Sequence, residues 1–238
     1  MDPSAPADEP GRLRALRALA DLLAPPRCLA CRHRGVTPWC AGCRDEVRPL
    51  PHGCPRCAAP RGGAHACWPQ DAPIDAVTAA YDYNGVVASA IATAKIAGAH
   101  AAWPSLAAPL LDRLAQRPPS VDAVTWVTTP PPRVRQRGTD HAARLAALVA
   151  GRLGLPCTRL LAARGVTGGR DRYTAVHPLP GTDLLLVDDI LTTGATAWRA
   201  GAGLRAAGAG RIHLAVLARA GTHTLGAAPA RCDLSRVQ

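Results

Sequence analysis

The sequence has no phenylalanine, only three tyrosines and five tryptophans, and a single lysine among its 28 basic residues. Scarce rings weaken any reading in which successive bases stack on aromatic side chains, and only Trp39 and Trp68 fall in the cysteine-rich part of the chain. With one lysine, the formal charge of +11 is carried almost wholly by arginine, a bias that reflects GC-rich coding as much as selection for charge. No apolar run approaches the roughly 18 residues of a membrane helix. The opening MDPSAPADEP is acidic and proline-rich where a secretory signal is basic and then apolar, so the expectation is a cytoplasmic protein without membrane insertion. There is no G-x-x-x-x-G-K, which excludes a P-loop. The run GAGLRAAG from Gly201 lies inside a helical pattern and follows no strand, which excludes a dinucleotide fingerprint. Nothing supports a helix-turn-helix, and no internal repeat occurs.

What is present is a chain of 238 residues, 48% apolar, which is globular and long enough for one full core with a small module attached. Residues 28–70 hold six arginines against two acids, and residues 121–180 hold nine against three. Clustered arginine fits a phosphate-rich ligand or nucleic acid, and equally a solvated surface in an arginine-biased protein. Four segments follow from composition. Residues 1–27 contain an amphipathic helix over 12–23, with Leu13, Leu16, Leu19, Ala20 and Leu23 on one face, ended by Pro25 and Pro26. Residues 28–70 carry seven of the nine cysteines, with too few apolar side chains to fold on a hydrophobic core alone. Residues 71–220 alternate strands (74–83, 121–129, 183–189, 211–218) with helices (86–96, 105–115, 139–154, and one from about Gly194). This order predicts an α/β fold with a mainly parallel sheet covered on both faces. Residues 221–238 form a tail.

In the cysteine segment, Cys28 and Cys31 form one C-x-x-C and Cys40 and Cys43 a second, eight residues on. Two such pairs complete the closed tetrahedron of a structural zinc site, and a reducing compartment argues against disulfides. A second set begins with Cys54 and Cys57 and continues with Cys67, but the spacing of the first set puts Gln70 at its fourth place. His65 or His52 could take that place instead. Cys157 and Cys232 stand alone and read as small apolar residues.

The stretch LLLVDDILTTGAT ends an apolar strand on Asp188 and Asp189, followed by Thr192, Thr193, Gly194 and Thr196. A parallel strand delivers its last residues to the carboxyl edge of the sheet, where open α/β folds bind ligands. Adjacent carboxylates there suit hydroxyls or a Mg²⁺-bound ligand. The hydroxyls, the glycine turn and a helix N-terminus make a place for a terminal phosphate.

This stretch resembles the 5-phosphoribosyl 1-pyrophosphate (PRPP) signature of type I phosphoribosyltransferases. The resemblance extends along the chain. The leucine helix, the cysteine segment, Y-x-Y-x-G-x-V leading from Tyr81 to Lys95, and R-x-R-x-R-G from Arg133 precede the signature in the order of the ComF family of competence-associated proteins. The resemblance implies a type I phosphoribosyltransferase-like fold, PRPP bound with Mg²⁺, a structural zinc, and a role in DNA uptake and natural transformation. Residue by residue, it implies that Asp188 and Asp189 serve the ribose hydroxyls, and that Thr192, Thr193, Gly194 and Thr196 serve the 5-phosphate. Thr128 and Thr129 fall in the turn that a type I enzyme uses for pyrophosphate. Arg133, Arg135 and Arg137 lie just beyond it, Lys95 falls at the family's lysine, and Arg170 and Arg172 lie in a lid segment with Gly165, Gly168 and Gly169. Where the family commonly reads R-G-F-N-Q-A, this chain has Arg137, Gly138, Thr139, Asp140, His141 and Ala142. Asp140 and His141 are the candidates for a general base, set against the plainer roles of helix capping and surface histidine. A non-catalytic PRPP sensor, or a scaffold for single-stranded DNA or competence proteins, is the alternative. Nucleic-acid binding would be strongly salt-dependent and would survive Asp188→Asn.

Overall fold

The computed structural model describes residues 25–34, 38–60, 65–95, 99–165, 171–220 and 230–231; the expected helix at 12–23, Gly168, Gly169, Arg170 and Cys232 lie outside them. The short helix α1 is Ala41–Glu46, and the two-residue strand β1, Ala66–Cys67, pairs antiparallel with β8, Ala230–Arg231. Between them in the chain come β2 (Ala76–Asp82), α2 (Gly85–Lys95), a 3-10 turn (Ala99–Ala102), α3 (Trp103–Gln116) and β3 (Ala123–Trp126). Then follow α4 (Pro131–Arg137), α5 (His141–Leu153), β4 (Leu161–Gly165), β5 (Asp171–Ala175), β6 (Leu184–Leu191), α6 (Ala195–Ala206) and β7 (Ile212–Arg219).

Four strands form one parallel sheet in the order β2-β7-β6-β3. Helical crossovers place helices on both faces, so the central strands must be apolar on both sides. Accordingly Leu184, Leu185, Leu186 and Val187 are all fully buried. Leu184 and Leu186 join Val77, Leu214, Val216 and Leu204 of α6 on one face. Leu185 and Val187 join Tyr81, Leu217, Leu106 of α3 and Leu145 of α5 on the other.

Both edges of the sheet are covered, which removes unpaired ladder groups that invite aggregation. Along β2, Leu50 N donates to Ala80 O (2.8 Å), Asp82 N to Arg48 O (3.0 Å) and Val77 N to Pro55 O (2.9 Å). Along β3, Val124 N donates to Pro156 O (2.8 Å) and Thr158 N to Val124 O (3.0 Å). The cysteine segment is thus stitched to the sheet. Cys54, Cys57 and Trp68 belong to one face of the main core, while Leu29 and Trp39 belong to the other, with Trp39 edge-on to Tyr81 at 6.1 Å.

The structure differs from the sequence reading in three places, the first being that Cys157, read as a buried small apolar residue, is exposed. The strand expected over 121–129 leaves the ladder after Trp126, since Pro130, Pro131 and Pro132 have no N–H to pair; Pro131 instead opens α4, which ends on the left-handed Gly138. The segment read as a lid contains an antiparallel hairpin, β4 with β5, anchored by the buried Tyr173. The glycines of GAGLRAAG are packing residues: a Cβ at Gly203 would lie 2.5 Å from Tyr173 O, and one at Gly201 would lie 2.8 Å from Ile74 Cδ1. Helix α6 can approach the hairpin only because Gly203 has no side chain, and Gly201 gives the same room to Ile74 and Pro73. No helix among the described residues is long and apolar enough to cross a membrane.

Candidate functional site

The acid pair owes its exposure to a stagger in the sheet. The last β3–β6 pair is Trp126 with Val187, whereas β6 continues to Leu191 against β7, with Asp188 opposite Val216 and Leu191 opposite Arg219. From Asp188 onward, β6 therefore has a neighbour on one side only, and a cleft occupies the other. Its wall includes Lys95, Thr128, Thr129, Arg133, His141, Tyr173, Asp188, Asp189, Thr192, Gly194 and Thr196.

Asp189 forms an ion pair with Lys95, the last residue of α2, and its N–H donates to Asp188 Oδ1 at 2.9 Å. Burial first, and the adjacent Asp189 second, push the Asp188 carboxyl well above the usual carboxylate range; Lys95 works against them. A cation or hydroxyl donors placed here would relieve the crowding of two carboxyls around one ammonium and favour the ionised form of Asp188. That donor set fits Mg²⁺ held with a polyol.

Beyond Leu191 the chain turns on Gly194, whose φ of 75° is left-handed, and α6 begins. Gly194 offers no side chain to cap the helix, so the first N–H groups of α6 face the cleft beside Thr192 and Thr196, with Ala195 N reaching Thr193 Oγ1 at 3.4 Å. Across the cleft, the turn at Thr128 and Thr129 is pinned from behind. Thr128 Oγ1 donates to Leu161 O (2.9 Å), and Asp140 accepts from Thr129 N and Thr129 Oγ1 (both 3.3 Å), Trp126 Nε1 (3.2 Å) and Ala143 N (3.4 Å). Asp140 is the N-cap of α5 and the clamp of this turn. His141 is buried, stacks on Trp103 with ring centroids 5.6 Å apart, and shows only an edge to the cleft.

The candidate arginines separate. Arg133 lines the cleft, Arg135 lies on the other side of the Thr128–Thr129 turn with Arg159, and Arg172 is exposed on β5 away from it. The Arg137 side chain and Arg170 lie outside the described residues. Tyr173 is a wall residue that no sequence motif singles out, because only the pairing of β4 with β5 brings it there.

Among the described residues there are two sets of metal-ligating side chains, Cys28, Cys31, Cys40 and Cys43 in one and Cys54, Cys57, His65 and Cys67 in the other, and within each set the ligand atoms lie within 4.8 Å of one another. His65 rather than His52 completes the second. The first C-x-x-C turn of each set, Cys28–Cys31 and Cys54–Cys57, has the same backbone pattern. Cys28 N donates to His33 O and Cys54 N to Ala59 O, both at 2.8 Å. Arg32 N donates to Cys28 O (3.0 Å) and Ala58 N to Cys54 O (2.7 Å). The residue after each second cysteine is left-handed, Arg32 at φ 66° and Ala58 at φ 55°. A non-glycine residue seldom adopts that conformation once, and here it recurs at the equivalent place. Burial opposes the Cys28 thiolate, but backbone N–H groups of Cys31, Cys40 and Ala30 outweigh it and bring the thiol down to about 6. Both donor sets are those of a closed tetrahedral zinc site.

No family model matches the chain, and no curated protein does. Solved structures do. A purine phosphoribosyltransferase from Pyrococcus horikoshii matches at 17% identity and TM-score 0.38 over 49% of this chain and 72% of its own. The glutamine PRPP amidotransferase of B. subtilis matches at 25% identity and TM-score 0.35 over 45% of this chain, which is a quarter of the amidotransferase's length. The orotate phosphoribosyltransferase of Aeropyrum pernix matches at 23% identity and TM-score 0.35 over 52% of this chain and 63% of its own.

Proposed function

We propose that the chain binds PRPP with Mg²⁺ in this cleft and is a phosphoribosyltransferase-like protein of the ComF type, zinc-stabilised and serving DNA uptake. The observation that carries the binding reading is the convergence on one cleft of the Asp188–Asp189 pair, the Thr192–Thr196 turn with its helix N-terminus, and the pinned Thr128–Thr129 turn with Arg133. A ribose 5-phosphate with a pyrophosphate on C1 presents hydroxyls, one terminal phosphate and one diphosphate, and the three parts of the cleft answer these in turn. Asp188 and Asp189 would hold the metal together with the ribose hydroxyls. Mg²⁺ held there would supply charge neutralisation for the pyrophosphate. Lys95 would exchange its pairing with Asp189 on binding, the Thr128–Thr129 turn would wall the diphosphate, and Arg133 would offset its charge.

The competing reading is binding without transfer. It is favoured by the commitment of Asp140 to four hydrogen bonds and by the burial of His141, which give neither the posture of a mobile general base.

Calorimetric titration of Mg²⁺–PRPP separates these readings. Saturable binding to the wild type, lost in Asp188→Asn/Asp189→Asn, is expected. Pyrophosphate release on adding an acceptor mixture then distinguishes transferase from sensor. Absence of PRPP binding in a folded, zinc-replete chain would overturn the proposal. Retained, salt-sensitive binding of single-stranded DNA by the acid-pair variant would then point to the scaffold.

A further inference from the structure

A second cavity lies between the cysteine segment and the starts of β2 and β7, and shares no residue with the cleft. Side chains alternate along a strand, so Leu214 and Val216 face the cleft while His213 turns to the opposite face. The floor of this cavity is apolar, formed in part by Leu50 and by Ala76, which lies on the same face of β2 as Thr78 and opposite His213 in register. Its inner wall carries a neutral polar pair: His213 Nε2 and Thr78 Oγ1 are 2.8 Å apart, and burial brings the His213 ring down to about 4, so it is uncharged at neutral pH. At the rim stand Arg113 and Arg117, four residues apart and therefore one turn apart at the end of α3. Arg113 is half-buried and held in place by donating to Leu50 O. Arg117 is exposed, and among the described residues none accepts a hydrogen bond from its guanidinium. No carboxylate lines the cavity.

Guanidinium groups at the mouth, an uncharged donor and acceptor at the back, and an apolar floor between them suit a molecule with a phosphate at one end and a flat, uncharged heterocycle at the other. We infer that this cavity is a binding site for a small organic phosphate of the nucleoside monophosphate type. The arginines meet the phosphate, the fixed Arg113 supplying a pre-oriented fork and Arg117 closing on it. The heterocycle lies over Leu50 and Ala76 with its polar edge toward Thr78 and His213. The site is independent of the PRPP reading.

The test titrates adenosine 5′-monophosphate into the full, zinc-replete chain, with adenosine and inorganic phosphate as separate titrants. Saturable binding of the monophosphate is expected, with each half-ligand weaker by at least roughly tenfold, about the value of one lost polar anchor. Arg117→Ser, an exposed position whose change leaves folding intact, weakens the monophosphate by roughly tenfold. Thr78→Val, nearly isosteric, weakens the monophosphate and leaves inorganic phosphate unchanged. The Asp188→Asn/Asp189→Asn variant binds it as the wild type does. Loss of binding in that acid-pair variant with retention in Arg117→Ser would put the nucleotide in the cleft and overturn the inference. So would failure to saturate by about 10 mM, too weak for a built site. PRPP binding by the same acid-pair variant is read separately, so failure of one proposal does not mimic failure of the other.

Discussion

Asp188 sits where its charge is disfavoured by its own surroundings, and this gives a signed prediction. Its carboxyl titrates above the unfolded value, so the folded chain binds the extra proton. The resulting stability is complete below about pH 4, the ordinary carboxylate range, and is lost as pH rises through the folded value. Asparagine mimics the protonated form while keeping an acceptor for Asp189 N. Asp188→Asn should therefore melt higher than the wild type at pH 8, with the gap narrowing toward pH 4, even as PRPP binding is lost. His213 runs the other way. Its folded value is about 4 against an ordinary value near 6.5, so its contribution is complete above about pH 6.5 and is lost as pH falls toward 4. His213→Gln should flatten this acid limb of the stability profile, by on the order of 2 kcal/mol between pH 7 and pH 4 in denaturant titrations.

At the scale of elements, the Thr128–Thr129 turn is rigid because the N-cap of the next helix doubles as its clamp. Asp140→Ala should cost about 1–2 kcal/mol of stability for the lost cap. It should also weaken PRPP more than it weakens ribose 5-phosphate, because the turn it releases faces the diphosphate; equal weakening of both would show that the clamp serves folding alone. The approach of α6 to the β4–β5 hairpin depends on Gly203 in the same manner. Gly203→Ala sets a methyl 2.5 Å from a backbone carbonyl and should destabilise by about 1–3 kcal/mol, read as a lower urea midpoint. Solvent-exposed Gly151, on α5, has open space around it, and Gly151→Ala should stabilise slightly.

For the molecule as a whole, the second cysteine cluster is part of the core and not an appendage. Cys54 and Cys57 pack with Trp68, Ile74 and Leu184, and residues 48–55 cover the β2 edge. The purified chain should carry about two zinc ions, one for each cluster, by elemental analysis. Cys67→Ser should leave one and lower the melting temperature of the entire chain in a single transition, because the second cluster shares the main core. A separate early transition, with the sheet melting unchanged, would contradict this account.

The sequence by itself determined the alternation of strands and helices, the three C-x-x-C pairs, and the pairing of Asp188 and Asp189 with a glycine-threonine turn. Each of these is local: an apolar run, a four-residue spacing, a strand followed by a turn. Only the tertiary structure decided that Lys95 meets Asp189 across 94 positions of chain, that His65 and not His52 joins the second cysteine set, and that Tyr173 walls the cleft. It also decided that Asp140 spends its carboxylate holding Thr129. The stagger that opens the cleft lies in the same class, since β3 ends where prolines follow it and β6 continues because β7 does. Register between strands is a property of two segments at once, and neither segment carries it alone.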